Sequence, residues 1–383
     1  RGLGDVYKRQ PMKSLTTRLL LFLSMPLLLL CACHTTCPVG PQGSSELPSE
    51  SALQPLALPE DAHVLAFDRE HILFCRQENA SDESAHGLYR YDVAGGEIVR
   101  LWGYPAPAYS GDAAVLRGQD LYLLTEGAVC QVDVSSGAAT EIAEVSPEAM
   151  VSLHAMDNGL VLHSILSEEN GSLTYLVETL SLPEGQRRTV AKEQVRDNSG
   201  TAISCVAAQG ETIYTYAVCL TSNTPEYRLA AYHADGPPMA QYALELADLL
   251  PASGGPAQDA VIGLAVRGDC VLLHTLNART RALVLAEGKL RPVSVPPTLE
   301  ESLPGGYRLL PQWDPDSPAL FFASAAPALY RFDAQTQIFS SALLPEDIPQ
   351  NVTWHGSCGH DLLLSTQQDG QGRSWYLLRV DLA

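Results

Sequence analysis

Residues 117–124 read RGQDLYLL, a polar turn that leads directly into an apolar strand. The same pattern occurs seven times along the chain. The other copies are DREHILFC at 68, DNGLVLH at 157, QGETIYTY at 209, RGDCVLLH at 267, DPDSPALFF at 314 and CGHDLLL at 358. Successive copies begin their apolar stretch 39 to 58 residues apart. Self-similarity at such a period is typical of repeat architectures.

Most copies continue into a further strand and turn, as in GLYRYDVAGG at 87, AVCQVDVSSG at 128 and ALYRFDAQTQ at 328. Nothing in this part of the chain has the pattern of a long amphipathic helix. Four short strands per repeat of this size are typical of a β-propeller blade. We therefore predict an all-β fold, a β-propeller of seven four-stranded blades. A β-sandwich or two stacked barrels would not explain a sevenfold period.

The seventh repeat stops at Ala383, after only three strands. Two segments of the chain share one pattern: an apolar strand that ends in Leu-Pro-Glu-Asp, followed by two more strands. They are LALPEDAHVLAFDREHILF, which begins at Leu56, and ALLPEDIPQNVTWHGSCGHDLLL, which begins at Ala342. The second text leads from blade six into blade seven. We therefore predict that residues 51–58 form the outer strand of the last blade, because an open ring would leave a sheet edge and an apolar face uncovered.

In family terms, LYRYDVAGGEIVRL, VCQVDVSSGAATEI and LYRFDAQTQIFSSAL resemble the repeats of pyrroloquinoline-quinone-like bacterial propellers. The resemblance covers most of residues 51–383 and implies a propeller fold. The tryptophan that usually ends each quinone-type repeat is missing, so the resemblance does not imply quinone binding, and no cofactor is predicted. The N-terminal region, described next, predicts an exported lipoprotein. A lipoprotein with a propeller domain resembles, in architecture alone, the lipoprotein scaffold of outer-membrane protein assembly.

The N-terminal region predicts export. Residues 1–11 resemble a translated adapter and are set aside, whereas residues 12–32 have the basic start and short apolar core of a signal peptide. The apolar run is too short to span a bilayer comfortably. The text LCAC resembles a bacterial lipobox, which implies lipidation at Cys33 and an extracytoplasmic, lipid-anchored protein. The alternative is an ordinary secretory signal with incidental cysteines.

Residues 33–50 are rich in Pro, Ser, Gly and Glu and predict a disordered tether, followed by a propeller domain at 51–383. The chain has 24 basic and 44 acidic residues. Five of the basic and one of the acidic residues precede Cys33, so the remainder has a net charge of −24. Such a surface repels nucleic acid and anionic headgroups, which argues against both as partners. The surplus of acid is also explained by solubility alone.

Catalytic and metal motifs are not found in the sequence. There is no Gly-x-Ser-x-Gly elbow, no His-Glu-x-x-His and no calcium loop, so no catalytic or metal-ligating residue is predicted. His355 and His360 have a spacing that could ligate a metal, but isolated histidines are usually structural. Five of the six body cysteines interrupt apolar strands and are expected to be free and buried. A hairpin centred near Gly210 would place Cys205 opposite about Thr215, which argues against a disulfide with Cys219.

We expect a ligand site where the loops that enter the first strands ring the central channel. Aromatic and polar groups there could stack on a sugar or hold a peptide, although packing between blades explains them equally. The candidate ligand-binding residues are Tyr109, Asp112, Tyr307, Trp313, Trp354 and His355.

The sequence therefore predicts a monomeric, membrane-anchored, non-catalytic binding or assembly scaffold for a protein, peptide or glycan at the cell envelope. The alternative is an envelope enzyme, a lyase or glycoside-acting propeller with channel carboxylates as acid and base. The sequence alone does not identify such a pair of carboxylates.

Overall fold

The computed structural model describes residues 52–79, 82–104, 113–197, 199–220, 225–234, 236–244, 260–276, 280–300, 307–324, 328–345, 348, 351–367 and 372–380. Among these residues, no helix is both long and apolar enough to cross a membrane. The signal peptide, Cys33 and the tether lie outside the described residues.

The described chain is built from short antiparallel strands that alternate with turns. In chain order they are β1 (Ala52–Leu56), β2 (His63–Phe67), β3 (His71–Asn79), β4 (Asp82–Asp92), β5 (Ile98–Tyr104), β6 (Ala114–Arg117), β7 (Asp120–Thr125), β8 (Ala128–Asp133), β9 (Ala139–Glu144), β10 (Met150–Met156), β11 (Gly159–Ser167), β12 (Leu173–Ser181), β13 (Arg187–Arg196) and β14 (Ser199–Gln209).

The second half has the same character. It contains β15 (Thr212–Cys219), β16 (Glu226–His233), β17 (Pro238–Leu244), β18 (Val261–Arg267), β19 (Cys270–Thr275), β20 (Thr280–Ala286), β21 (Lys289–Val293), a single helical turn α1 (Pro297–Glu300), β22 (Arg308–Leu309), β23 (Ala319–Ala323), β24 (Ala328–Asp333), β25 (Ile338–Leu343), β26 (Val352–Cys358), β27 (Asp361–Gln367) and β28 (Arg373–Arg379).

These strands form an all-β propeller, which confirms the predicted fold class. Four sheets are meanders of four consecutive strands, namely β2–β5, β6–β9, β18–β21 and β22–β25, and a fifth contains β26–β28 together with β1. The buried apolar side chains form clusters between neighbouring sheets, as where Leu73 and Leu88 of one sheet pack with Leu121 and Val132 of the next. The core is therefore divided among the interfaces between sheets.

The predicted count of seven separate four-stranded blades is wrong, because strands β10–β17 form one eight-stranded sheet. The reason is local: β13 and β14 pair through Val195–Gly200 and Arg196–Ser199, on either side of a tight turn at Asp197, whose φ is +49°. Buried residues of both halves of this sheet, including Val161, Val177 and Ile213, belong to one cluster. The long sheet is therefore folded so that its two halves face each other.

The predicted closure of the ring is confirmed. Strand β1 pairs antiparallel with β28, with Ala52 opposite Arg379 and Leu56 opposite Trp375. Leu56 and Leu58 are buried in a cluster that joins the last sheet to the first. A segment from the start of the described chain thus supplies the fourth strand of the last sheet.

The six body cysteines are all buried and none forms a disulfide, as expected for the five that interrupt strands. The predicted position of Cys205 was wrong by one residue: it lies opposite Tyr216, and Thr201 lies opposite Cys219. A β-bulge between Ile203 and Cys205 shifts the register of this hairpin. The conclusion that Cys205 and Cys219 do not face each other holds.

Candidate functional site

The turns between the first and second strands of the sheets meet around one cavity of about 1460 Å³. The cavity lining includes Arg117, Asp157, Gln209, Asp269 and Asp314. These turns are the polar part of each sequence repeat. The repetition therefore places a ring of polar residues on one face of the propeller. We call this cavity the mouth.

Four turns of the propeller have the same backbone form. Each is a two-residue loop whose first residue is a glycine with φ between +56° and +60°; these are Gly118, Gly210, Gly268 and Gly359. The flanking residues are paired in each case, as Arg267 is with Cys270. Glycine at the first position of a two-residue hairpin loop is the requirement of a type II′ turn. The Arg-Gly-Asp triplet at 267–269 is one of these structural turns.

The mouth is predominantly acidic. Six aspartates line it, against two arginines; the aspartates are Asp68, Asp120, Asp157, Asp269, Asp314 and Asp316. Arg117 is occupied by the protein itself, since its guanidinium donates to the backbone oxygens of Asp157 (2.5 Å) and Gly159 (3.2 Å). The side chain of Arg117 thus ties one sheet to the next, and its charge is held at the wall.

Two buried polar atoms at the mouth lack a hydrogen-bond partner within the described part of the chain: the Nε of Arg267 and the Oε1 of Gln209. Arg267 donates from Nη1 to the backbone oxygen of Val266 at 2.7 Å. Burial lowers the pKa of Arg267, while the nearby carboxylates of Asp314 and Asp316 oppose that shift. Unpaired buried polar groups are costly, so they point to water or a ligand at this position.

A second cavity of about 360 Å³ continues from the mouth along the channel. It shares Leu116, Ala155, Arg267 and Trp313 with the mouth and is otherwise lined by the first strands of the sheets. Its lining is largely apolar, with a polar patch formed by Ser152, His154, His163 and Ser204. The mouth and the channel are therefore adjacent and share part of their walls.

His163 is the most deeply placed titratable group of this patch, with 6% of its surface exposed. Burial, and secondarily the neighbouring His154, lower its pKa to about 4, so the imidazole is neutral at pH 7. Its Nε2 has no hydrogen-bond partner among the described residues. His154 is hydrogen-bonded through its own Nε2 to the Ser152 hydroxyl at 3.2 Å.

Of the candidate residues from the sequence, Trp313 lines both cavities and packs edge-on against Phe67, with ring centroids 4.9 Å apart. Tyr307 is outside both linings. Its ring contacts Tyr330 at 4.8 Å, and burial raises its pKa to about 12. Tyr109 and Asp112 lie outside the described residues.

Trp354 and His355 also lie in packing contacts between strands. Trp354 donates from Nε1 to the backbone oxygen of Ser324 at 3.0 Å. The Nε2 of His355 is 2.8 Å from the Ser365 hydroxyl, and its ring is 4.6 Å from Trp375. Burial, with a smaller contribution from the charge of Arg373, lowers the pKa of His355 to about 3. The structure thus brings Trp313 to the mouth and leaves these two side chains half-buried in packing contacts away from it.

Sequence reasoning pointed to Asp314, next to Trp313, but missed the other five aspartates of the mouth because it favoured the loops that enter each sheet. The signal was present: Asp68, Asp157, Asp269 and Asp314 all stand in the turns of the seven repeated texts. Across the described ranges, no group of three or more His, Cys, Asp or Glu side chains is arranged to hold a metal ion.

No family model matches the chain, and no curated protein matches it. Among solved structures it is similar to an oligogalacturonate lyase in complex with manganese, with a TM-score of 0.53 and 11% identity over 87% of this chain and 92% of that one. It is also similar to the β-propeller domain of Cps50 (Swd1) from Myceliophteria thermophila, with a TM-score of 0.51 and 13% identity over 84% and 98% of the two chains. Identities this low show the fold alone.

BamB from Moraxella catarrhalis matches with a TM-score of 0.45 and 14% identity over 82% of this chain and 84% of that one, which is too distant to carry an argument. The resemblance to quinone-type repeats stays a prediction.

Proposed function

We propose that this protein is a non-catalytic binding scaffold that holds a protein, peptide or glycan in the mouth of its propeller. The observation that carries this proposal is the cavity of about 1460 Å³ with buried, unpaired polar atoms at its wall. Ordinary small-molecule sites have volumes of about 300–1,000 Å³, so the mouth is roomy enough for part of a polymer. Loops that carry binding residues on a rigid scaffold are the usual arrangement for recognition.

The rigidity of the rim supports the proposal. Four of its turns share one glycine-dependent conformation, and Arg117 fastens the turn after β6 to the turn after β10. A rim that is already ordered loses little entropy when a ligand binds, so more of the contact energy remains as affinity.

We further propose that the eight-stranded sheet works as two blade equivalents, which gives seven units around the channel. Two observations support this. The halves of the sheet face each other through a shared apolar cluster, and β10 and β14 both line the channel cavity. In this interpretation the β13–β14 turn joins two neighbouring blades without ending the sheet.

The location of the protein is also a proposal: exported, and held at the extracytoplasmic face of a bacterial membrane by lipid on Cys33. The anchor would leave the propeller free at the end of a tether of about 18 residues, predicted from composition. Detergent phase partitioning and intact-mass analysis of the expressed chain test it. Cys33→Ser should move the protein to the aqueous phase, whereas Cys31→Ser and Cys37→Ser are the matched controls that should still be lipidated. Loss of lipid in a control and not in Cys33→Ser would contradict the assignment.

Binding at the mouth is tested by a thermal-shift screen of the purified full chain against glycans and peptides, because a ligand that binds only the folded state raises the melting temperature. The shift caused by a hit should fall in an Asp157→Asn/Asp269→Asn variant. Asp197→Asn is the control, since this aspartate is 94% exposed and does not line the mouth. A shift that is equal in both variants would place binding elsewhere.

The second candidate is an enzyme of the lyase or glycoside-acting class. It is favoured by one observation, that the structure brings six aspartates to one cavity where the sequence offered no carboxylate pair. Catalysis by two carboxyl groups requires them about 5–10 Å apart on either side of a scissile bond. Mass spectrometry of the ligand after incubation separates the two candidates: a ligand recovered intact supports the scaffold, and a ligand converted to product supports the enzyme.

A further inference from the structure

We infer that the loop between β22 and β23 is an internal ligand: it fills the free edge of β26, where an extended, aromatic-bearing peptide of a partner protein takes its place. We call this loop, residues 310–318, the inner loop. The inference rests on the proposed binding function, names peptide as the ligand class and makes the inner loop an autoinhibitory segment. It depends on three features: the length of the inner loop, its pairing with β26 and the slot around Trp313.

The inner loop is longer than its hairpin requires. In the described part of the chain, the other connections between a first, channel-lining strand and the second strand span two or three residues, whereas the inner loop spans nine. The pair Leu309–Phe322, followed by a bond from the N–H of Leu310 to the backbone oxygen of Phe321 at 2.9 Å, starts an ordinary hairpin. The chain then leaves β23, so most of the inner loop is not needed to close the hairpin.

The inner loop pairs with the edge of β26 that β27 does not occupy. The backbone N–H of Ser357 donates to the backbone oxygen of Pro311 at 2.9 Å, and the N–H of Trp313 donates to the backbone oxygen of Ser357 at 2.9 Å. These bonds form a parallel bridge between Gln312 and Ser357. Extended peptides add to an exposed sheet edge in the same way, through main-chain hydrogen bonds.

Gln312 replaces the backbone pairing that the chain gives up. Continuing the register of Leu309 with Phe322 would place Gln312 opposite Ala319. Its side chain does reach that strand, because Nε2 donates to the backbone oxygen of Ala319 at 2.9 Å, while Oε1 accepts from the Ser357 hydroxyl. Gln312 thus connects β23 to β26 and holds the inner loop between the two sheets.

The edge of β26 requires a partner but does not require this particular loop. Ser357 is fully buried, so its backbone N–H and oxygen would be costly to leave unpaired. What they need is one acceptor and one donor two residues apart on an extended chain. Any peptide that reaches this edge supplies both, because they belong to its backbone.

The slot around Trp313 adds selectivity for an aromatic side chain. The indole packs edge-on against Phe67 of the first sheet, with ring centroids 4.9 Å apart. Its other neighbour is Gly356 of β26, where an added Cβ would collide with the ring. Trp313 is only half-buried and lines the mouth. The slot therefore lies between the last and first sheets and is reached from the cavity where we propose that ligands bind.

The test removes the inner loop and supplies it as a separate peptide. In the full chain, residues 313–318 are replaced by Gly-Asp, the turn that joins β18 to β19, so that Gln312 pairs with Ala319 and the edge of β26 is vacated. The probe is the fluorescein-labelled peptide Leu-Pro-Gln-Trp-Asp-Pro-Asp-Ser-Pro, with binding followed by fluorescence anisotropy.

The loop-replaced chain should bind this peptide at least tenfold tighter than the wild-type chain. The reason is that a tethered segment competes at an effective concentration of about millimolar. Equal affinity for both chains would show that the peptide binds elsewhere, and binding to neither would show that the edge accepts no peptide; each result would overturn the inference. A peptide with alanine in place of tryptophan should bind about tenfold weaker. If it binds equally well, the aromatic ligand class is wrong.

Trp313→Ala keeps the chain length and serves if the loop replacement prevents folding. It empties the slot and weakens the internal competitor, so the tryptophan peptide should bind about 3- to 10-fold tighter than to the wild-type chain. Asp316→Asn is the matched control in the same loop, since its side chain is exposed at the mouth, and it should bind as the wild-type chain does. Equal tightening by both variants would contradict the role of the slot.

Hydrogen exchange of the wild-type chain separates an internal ligand from a fixed wall. The N–H of Trp313 is held by Ser357 in the free protein. Saturating tryptophan peptide should displace the inner loop and speed the exchange of its amides at least tenfold. An inner loop that stays protected under saturating peptide would contradict autoinhibition.

Failure of the inference is distinguishable from failure of the proposed function. If the tryptophan peptide fails these tests but another ligand still shifts the melting temperature in a manner sensitive to Asp157→Asn/Asp269→Asn, then the scaffold stands and the inner loop is a fixed wall. If no ligand of either kind binds, both are wrong.

Discussion

Two junctions hold neighbouring sets of strands together by different means. At the β13–β14 junction the chain turns back within two residues, and only two residue pairs connect the strands. At the β1–β28 junction five residue pairs connect segments more than 300 residues apart in sequence. The entropic cost of bringing chain segments together grows with the length of the loop between them. The distant junction is accordingly the one with the most side-chain support.

That support is concentrated on Trp375. Its ring is 1% exposed, its Nε1 donates to the backbone oxygen of Pro59 at 2.9 Å, and Leu56 lies opposite it in the ladder. The backbone N–H of Ala57 donates to the Tyr91 hydroxyl, which fixes the same segment to the first sheet. Closure of the ring is therefore stabilised by burial and by hydrogen bonds from both the last and the first sheet, whereas the β13–β14 junction depends on turn geometry.

The largest expected effect is from deletion of residues 51–58. The deletion takes Leu56 and Leu58 out of their buried cluster and uncovers Trp375, and each large apolar side chain whose burial is lost costs about 1.5–3 kcal/mol. We expect the free energy of unfolding to fall by more than about 5 kcal/mol in urea titrations followed by tryptophan fluorescence. Deletion of residues 40–47, in the predicted tether, is the control and should leave stability unchanged.

Deletion of a whole strand can prevent folding, so Leu56→Ala gives a graded version of the same test. We expect a loss of about 2–4 kcal/mol from the cavity and the lost burial. A loss near zero would show that β1 contributes little to closure.

Acidification is expected to weaken both regions. His355, near Arg373 and His63, lies at the closure, and His163, near His154, lies in the eight-stranded sheet. Their pKa values are lowered to about 3 and about 4, below the unfolded value of 6.5. Their contribution is therefore complete above pH 6.5 and is lost as pH falls toward these values, because the unfolded state binds more protons. From pH 7 to pH 5 the two together should reduce stability by about 4 kcal/mol.

Urea titrations at several pH values measure this loss. His163→Gln and His355→Gln should each remove about one proton from the slope of stability against pH. An unchanged slope in both variants would contradict the assignment of the pH dependence to these side chains.

The local junction is tested by Gly200→Ala. Gly200 has a φ of +124°, and an added Cβ would meet the backbone oxygen of Gln194. We expect a loss of about 3 kcal/mol, since both the backbone conformation and the contact oppose a side chain. The matched control is Gly268→Ala, where φ is +56° and nothing lies within 4 Å, so that only the left-handed conformation costs about 1–2 kcal/mol. Equal losses would show that the close contact at Gly200 is unimportant.

The smallest effect is expected from Asp197→Asn at the same turn. Its carboxylate is 3.7 Å from Arg196, both side chains are well exposed, and such pairs often contribute nothing measurable. Asparagine also accepts a positive φ readily. Thermal unfolding should be unchanged, and a clear loss would reveal a role for this ion pair in joining the two halves.

The sequence predicted those features that depend on repeated text. The seven turn-and-strand copies predicted the propeller, and the two Leu-Pro-Glu-Asp texts predicted the closing strand. It did not predict the eight-stranded sheet, because the Val195–Gly200 pairing depends on a turn whose geometry is decided by single residues. The bulge beside Cys205 was missed for the same reason.

The site was predictable only in part. Trp313 lies at the mouth, as the sequence predicted. Trp354 and His355 are half-buried in contacts with Ser324 and Trp375, because the sequence does not show which face of a strand each side chain occupies. The unpaired atoms of Gln209 and Arg267 could not be found from sequence, because only the assembled ring decides whether a polar atom has a hydrogen-bond partner.

The four matching glycine turns have a consequence for changing what the protein binds. Only the first loop position demands glycine; the second is occupied by four different residues, namely Gln119, Glu211, Asp269 and His360. The second position therefore differs in side chain among the four turns, although the hairpin backbone is the same in each. A combinatorial library confined to them would alter the chemistry displayed around one end of the propeller without asking any strand to move.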